Sequence, residues 1–346
     1  MFSKEQKKIN EEIPGFFKNI DKTYSLSKIS PLIFKALKTF TINDGKRIRP
    51  IMFITGFKGF TGKKPKNLYT AALSIELMHN FMLIHDDIID KSDLRRGKPS
   101  MHAAFNSYLK KYPDKQFSGQ DLAIIAGDVM YAIAFNALTS IDANPKNKES
   151  ALREFIKAAI YTGCGEFIEI ISGAKKIKDI TLDEIFKIYD YKTSNYTFAS
   201  PLCMGAYLAD APKKEIEKLY KIGIYTGRGF QIKDDVLSMF HDEKTIGKSV
   251  LSDLQESKKT FLIWHIYNNS NKNVKKEIEK ILNKKNVTHA DLHTIREIAI
   301  KTDTLNKAKK ETEKLFKKAQ KILQTLQIKT AYKKNLSEYI EKILSF

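Results

Sequence analysis

Apolar residues recur at three- and four-residue intervals through residues 67–90, 121–139, 151–172, 181–209, 214–240, 257–268 and 288–325, the period of helices with one buried face. Alternating strand patterns are scarce. The punctuation is local: TGKKPKN at 61–67, KKYPDKQFSGQ at 110–120 and DANPKNK at 142–148 predict interhelical loops. No low-complexity linker, composition break or short fixed repeat interrupts the 346 residues. The pattern predicts an all-α chain, one large helical bundle over 1–346.

Composition narrows the classes further. At 42% hydrophobic residues the chain can bury a substantial core and is no disordered polymer. The N-terminal MFSKEQKKINEE is charged and lacks the apolar centre of a secretory signal, and no uncharged run reaches the roughly 18 to 20 residues of a spanning helix. A cytoplasmic protein without stable membrane insertion is expected. Cys164 and Cys203 are the only cysteines, both in apolar settings, which argues against a disulfide framework or a zinc site.

The net charge of +20 asks for an anionic partner. Most of it is a solvated lysine face, as in KAKKETEKLFKKAQKIL at 307–323, and no basic patch with interleaved aromatics points to nucleic acid. Arginine is more telling. Only seven of the 60 basic residues are arginine, and four of them are Arg47, Arg49, Arg95 and Arg96. Where lysine is the default cation, arginine persists where its planar fork matters, as in bidentate phosphate binding.

The stretch FMLIHDDIID, residues 81–90, carries the first chemical signal. On a helix Asp86 and Asp90 lie one turn apart, with Asp87 about 100 degrees round. Like charges at that spacing repel, and the neighbouring Phe81, Met82, Leu83 and Ile84 make ionised carboxylates costlier still. A hard divalent cation would resolve the conflict; a helix terminus with solvated aspartates is the plain alternative. GRGFQIKDDVLS at 227–238 repeats the arrangement with Asp234 and Asp235. Two such clusters predict carboxylates on facing walls of one cavity. Cations for a phosphate group stand in GKRIRP (45–50), RRGKP (95–99), Lys192 of YKTS and GKSVLSDLQESKKT (247–260), several beside glycines that let backbone approach an anion.

In order along the chain, GKRIRP, ELMHNFMLIHDDIID with RRGKP, AIIAGD (123–128), KTS (192–194), GRGFQIKDD and GK followed by KKT make a set. From Gly45 to Thr260, and over nearly its full length, the chain resembles the trans-isoprenyl diphosphate synthases of the polyprenyl synthetase family. The resemblance implies that Asp86, Asp87, Asp90, Asp234 and Asp235 hold a magnesium cluster of about three ions, with manganese as an alternative, that grips an allylic diphosphate. It places Arg95, Lys192 and Lys258 on that diphosphate, Lys248 beside it, Thr193 among the substrate-binding residues, Gln231 on the chamber wall, and Lys46, Arg49, His79 and Arg96 at the isopentenyl diphosphate. A histidine on an apolar helix is ordinarily a satisfied core residue; the position of His79, seven residues before Asp86, matches the family, whereas His85 and His102 keep the core reading. A homodimer is implied as well.

The implied chemistry needs no nucleophilic side chain: diphosphate leaves the allylic carbon, the isopentenyl double bond attacks the cation, and proton loss restores an alkene. Product length should follow chamber depth. Residues four and five positions before Asp86, Met82 and Phe81, lie one turn toward the tail end. In the family an aromatic at the fifth position alone accompanies C20, so geranylgeranyl diphosphate is expected, with C15 or longer products as alternatives.

Departures from the family pattern are explicit. Ser238 stands where a third aspartate is common, Glu166 and Glu169 replace the polar pair of GQxxD, KKYPDKQ reads as a surface insertion, and Ser257 replaces a frequent glycine. Ser238 with Asp242 also resembles the second metal motif of class I terpene cyclases, but Lys46, Arg49 and Arg96 supply a second diphosphate site that a cyclase does not need. A noncatalytic partner subunit is the remaining alternative; the intact first aspartates and RRG argue against it.

Overall fold

The charged N-terminal segment folds because its apolar residues share one face: in helix α1 (Phe2–Tyr24), Ile9, Ile13, Phe16, Phe17 and Ile20 are buried. The computed structural model describes residues 2–43, 45–112, 114, 116–241 and 249–345. After a short turn, α2 (Leu26–Ile29), helix α3 (Pro31–Ile42) starts at Ser30, whose hydroxyl accepts from Ile33 N–H, with proline in the first turn where no amide donor is missed. Helices α4 (Ile48–Phe60), α5 (Leu68–Ile89), α6 (Met101–Leu109), α7 (Gly119–Thr139) and α8 (Pro145–Ala174) follow. The strands β1 (Leu94–Arg95) and β2 (Lys98–Pro99) form an antiparallel hairpin between α5 and α6. The all-α expectation holds.

The chain condenses into two compact units. The first comprises Met1–Ile156, Pro201–Ile216 and Ile328–Asn335. Its centre is the pairing of α5 with α7, and α6 packs on α7 as well. Among the described helices α7 alone is long and apolar enough, by length and composition, to cross a membrane, and it carries Asp121 and Asp128. Ser118 and Asp121 fix its start by a reciprocal capping box.

The second unit comprises Lys157–Ser200, Glu217–Gln327 and Leu336–Phe346. A capping box of Thr181 and Glu184 opens α9 (Leu182–Ile188), which runs into a π-helix over Tyr189–Ala199. Along the chain then come α10 (Ser200–Leu208), which falls in the first unit from Pro201 on, α11 (Lys213–Phe240), in the second unit from Glu217, α12 (Ser252–Gln255), α13 (Phe261–Asn268), α14 (Lys272–Leu282), α15 (His289–Lys301), α16 (Thr304–Thr325) and α17 (Thr330–Leu344), in the second unit from Leu336. The unit's core gathers Ile185, Tyr189, Ile232, Leu262, Ile266, Ile278 and Ile295.

The periodic segments appear as helices with shifted ends. Residues 257–260 precede α13 instead of belonging to it, and 288–325 breaks at Asp303, whose φ of 53° lies in the left-handed region. DANPKNK is shorter as a loop than expected, since Pro145 already begins α8. Helices α1, α2, α3, α4, α6, α12, α14 and α17 lie outside the predicted segments.

Candidate active site

The candidate residues fall into two groups, one in each unit. In the first unit, α5 delivers His79, Phe81, Met82, Asp86 and Asp87, with Asp90 as its C-cap. Asp86 and Asp90 are half-buried, whereas Asp87 is fully buried. Arg95 Nε donates to Asp87 Oδ1 at 2.8 Å, a second guanidinium nitrogen bonds the same oxygen, and Asp86 Oδ2 is 3.5 Å away. Asp87 Oδ2 is buried with no hydrogen-bond partner among the described residues. Burial pushes the Asp87 carboxyl up to about 6 against the opposing pull of Arg95.

RRGKP folds as a hairpin. Arg96 and Gly97 have φ of 54° and 72°, so these central residues form a two-residue turn of the kind that fits strand twist, and glycine supplies one of the two left-handed positions without strain. The guanidinium of Arg96 lies against Gly45, 3.2 Å from where a β-carbon would stand. This brings the RRGKP and GKRIRP motifs together. Lys46 is exposed in the preceding loop and Arg49 half-buried in the first turn of α4. Arg47, another of the four arginines, is an anchor: buried, with φ of 48°, it bonds Glu76 at 2.7 Å, Asn10 at 2.9 Å and the carbonyls of Thr41 and Asn43. These bonds hold the junction between the Lys46 loop and the first turn of α4, where Arg49 stands.

His79 stands in the field of these arginines. It is buried, and burial first, then the charges of Arg49, Arg96, Arg95 and Arg47, holds its pKa well below the ordinary range. The imidazole is therefore neutral in a strongly cationic neighbourhood. Burial and the adjoining guanidiniums also lower the pKa of Arg96. His85 and His102 are satisfied structural residues: His85 Nε2 lies 3.2 Å from Ile124 O, and His102 Nδ1 lies 3.2 Å from Ser100 Oγ.

In the second unit, the π-helix carries Lys192 and Thr193. Gly165 permits α8 to approach it, since a β-carbon there would lie 2.4 Å from Lys192 N. The approach sets Lys192 Nζ between two carboxylates, 2.5 Å from Glu166 Oε2 and bonded also to Glu169. The two glutamates that depart from the family pattern thus form one ion-pair cluster with a candidate phosphate-binding lysine. Lys258 is similarly held, 2.6 Å from Glu256 and 3.8 Å from Asp253. Ser257 has φ of 53°, the backbone a glycine adopts freely, and its hydroxyl offsets the strain by donating to Leu282 O at 2.5 Å.

Helix α11 places Gln231, Asp234 and Asp235. Asp234 is half-buried. Asp235 is buried, with Tyr189 O–H donating to Oδ2 and Gln231 Nε2 to Oδ1 at 2.9 Å. Gln231 Oε1 in turn accepts from Thr193 Oγ1 at 2.8 Å. Lys248, expected beside the diphosphate, and Asp242 of the cyclase alternative lie outside the described residues. Tyr189, Glu166, Glu169 and Arg47 are positions whose structural roles spacing alone did not reveal; for Tyr189 no local signal existed, because its partners are distant in sequence.

Comparison with known proteins agrees with these motifs. The family model for polyprenyl synthetase matches residues 30–299. The chain is 33% identical over 293 residues to a short chain isoprenyl diphosphate synthase of Methanocaldococcus jannaschii, covering 84% of this chain and 80% of that protein. It is 31% identical over 301 residues to a geranylgeranyl diphosphate synthase of Saccharolobus solfataricus, with the same coverages. Its fold matches the crystal structure of geranylgeranyl pyrophosphate synthase from Corynebacterium glutamicum complexed with isoprenyl diphosphate and magnesium, with a TM-score of 0.90 at 24% identity over 100% of this chain and 99% of that one. A geranylgeranyl pyrophosphate synthetase from Pyrococcus horikoshii aligns with a TM-score of 0.82 at 26% identity, over 100% of this chain and 98% of that one. By sequence and by fold, the chain belongs to the polyprenyl synthetase family.

Proposed function

We propose that this chain is a magnesium-dependent trans-prenyltransferase that condenses isopentenyl diphosphate with an allylic diphosphate to a short-chain prenyl diphosphate, namely C20 geranylgeranyl diphosphate. Relatives named as geranylgeranyl diphosphate synthases support the product class. The observation that carries the reading is the meeting of the RRGKP hairpin with the GKRIRP segment, Arg96 against Gly45 and Arg95 on Asp87 and Asp86, in the unit that also carries Asp90 and His79. Such an arrangement suits a diphosphate beside a cation site.

Asp86, Asp90 and Asp234, each half-buried, fit as carboxylate ligands of magnesium, which when bound neutralises charge on the diphosphate and its leaving oxygen. Asp87 and Asp235 fit a different role, since both are buried against protein partners: Arg95 for Asp87, Tyr189 and Gln231 for Asp235. We assign Lys46, Arg49 and Arg96 to isopentenyl diphosphate, with His79 as a neutral hydrogen-bonding group. Arg95, Lys192, Thr193 and Lys258 bind the allylic diphosphate, and the lysines exchange their glutamate partners for phosphate oxygens as it binds. These cations stabilise negative charge on the departing diphosphate as the allylic C–O bond breaks. The isopentenyl double bond then forms the new C–C bond, and the released diphosphate takes the proton whose loss restores the alkene. Phe81 and Met82 keep that cation away from water.

The chain is read as one catalytic domain, which the match of the family over residues 30–299 supports. It is read as cytoplasmic and as a homodimer. In support of the dimer, one face of α8 exposes Ile156, Ile160, Phe167, Ile170 and Ile171, with Phe167 68% exposed, and a second copy of the chain is the partner that would cover it.

The test is incubation of purified protein with magnesium, isopentenyl diphosphate and each allylic diphosphate in turn, with dephosphorylated products identified by mass spectrometry. A linear C20 alcohol is expected. A cyclic hydrocarbon from allylic substrate alone would move the chain to the cyclases, and no turnover would leave it a partner subunit.

A further inference from the structure

Four polar residues close a ring between the π-helix and α11. Tyr189 and Thr193 are four residues apart on the first, Gln231 and Asp235 four apart on the second. Thr193 Oγ1 donates to Gln231 Oε1 at 2.8 Å, which turns the amide so that Nε2 donates to Asp235 Oδ1 at 2.9 Å. Tyr189 O–H donates to the other carboxylate oxygen, Oδ2. Every donor runs toward Asp235, and both of its oxygens are engaged. The tyrosine oxygen also accepts from Phe261 N–H at 2.8 Å. That amide opens α13, immediately after Lys258, Lys259 and the N-cap Thr260. Tyr189 is only 5% exposed and sits in the core of its unit.

We infer that Tyr189 is a positioning residue for the allylic diphosphate: its hydroxyl sets Lys192 and Thr193, the Asp234–Asp235 pair, and the Lys258 segment in one register. The inference rests on the proposed synthase reading and goes beyond it, since Tyr189 belongs to none of the motifs. One oxygen joins three segments, each carrying a group assigned to the same diphosphate. Losing it leaves Asp235 with a single donor and the Phe261 amide without an acceptor, so all three segments can shift by fractions of an ångström. Displacements of that order reduce rates of positioned reactions by about tenfold to a hundredfold.

Tyr189→Phe keeps the ring and removes the oxygen. The variant is expected to raise KM for geranyl diphosphate by about tenfold, to leave KM for isopentenyl diphosphate within about twofold because Lys46, Arg49 and Arg96 are untouched, and to need more magnesium for half-maximal activity. Isothermal titration of geranyl diphosphate with magnesium should report the same weakening without turnover. If the phenylalanine variant does not fold, Asp235→Asn, which keeps the shape and loses the charge, should give the same allylic-selective loss. The double variant should lose more than Asp235→Asn alone, because the tyrosine oxygen also holds the Phe261 amide beside the Lys258 segment. A Tyr189→Phe protein with lower Tm but wild-type KM for both substrates would overturn the inference and leave the function standing. Wild-type protein that neither binds nor turns over geranyl diphosphate would overturn the function, and this inference with it.

Discussion

Phe81 of α5 stacks on Tyr131 of α7, their ring centroids 4.8 Å apart and their planes inclined by 25°. Behind Tyr131 stand Phe135 at 4.9 Å and Phe155 at 6.1 Å, and Phe155 is fully buried. Phe81 is thus the front of an aromatic column, not a lone plug. Under the proposed function, Phe81→Ala should lengthen the product by about one isoprene unit and stop there, because Tyr131 remains as a second barrier. Phe81→Ala with Tyr131→Ala should release longer chains. Reversed-phase analysis of dephosphorylated products reads both. An unchanged product from the double variant would remove this column from length control.

At Gly165 helix α8 comes close to the π-helix, and a methyl group there would stand 2.4 Å from a backbone nitrogen and 2.8 Å from Lys192 Cα. Neither atom can swing aside as a side chain would. Gly165→Ala should therefore push the two helices apart, cost about 1–3 kcal/mol of stability, and displace Lys192 from Glu166 and Glu169. The expected result is a folded protein by circular dichroism with kcat/KM for the allylic substrate reduced at least about tenfold. Wild-type kinetics would mean that the lysine's position tolerates the shift.

The carboxylate clusters were legible because a charge in an apolar helix is a contradiction that the local sequence displays. Which carboxylates face inward was not. Asp86 and Asp87 are adjacent, and only the packing of α5 and the arrival of Arg95 from the hairpin bury one and leave the other half-exposed. The same holds for Asp234 and Asp235, where the distant Tyr189 makes the difference. Helix α4 escaped the periodicity analysis for the opposite reason: ten of its thirteen residues are buried, so its apolar positions trace no single face. The π-helix left no trace either, since a shift of hydrogen bonding from i+4 to i+5 over a few turns scarcely alters which residues are apolar.

The exposed stripe on α8 gives the dimer its test. Ile160 and Phe167 are 57% and 68% exposed and seven residues apart, hence nearly in line along the helix. Phe167→Glu adds a charge to that face without removing a buried core contact. Light scattering should give twice the chain mass for the wild type and the chain mass for the variant at micromolar concentration. Two chain masses for both proteins would place the interface elsewhere.

Lys259 offers a readout of pH. It is 7% exposed, its ammonium donates to Gly173 O at 2.9 Å and Ser257 O at 2.7 Å, and burial lowers its pKa from 10.5 to about 8. Below about pH 8 both folded and unfolded chains carry the proton, so the full cost of burying the charge is present and does not vary. Between about 8 and 10.5 the unfolded chain binds more protons than the folded one, so stability rises with pH through that window, by at most about 3 kcal/mol. Lys259→Met removes this term while leaving the other lysines in place. Urea unfolding of both proteins at pH 7.5, 9 and 10 should show the wild type gaining on the variant as pH rises. A constant difference across the three pH values would mean that the buried ammonium keeps an ordinary pKa through its two carbonyl partners.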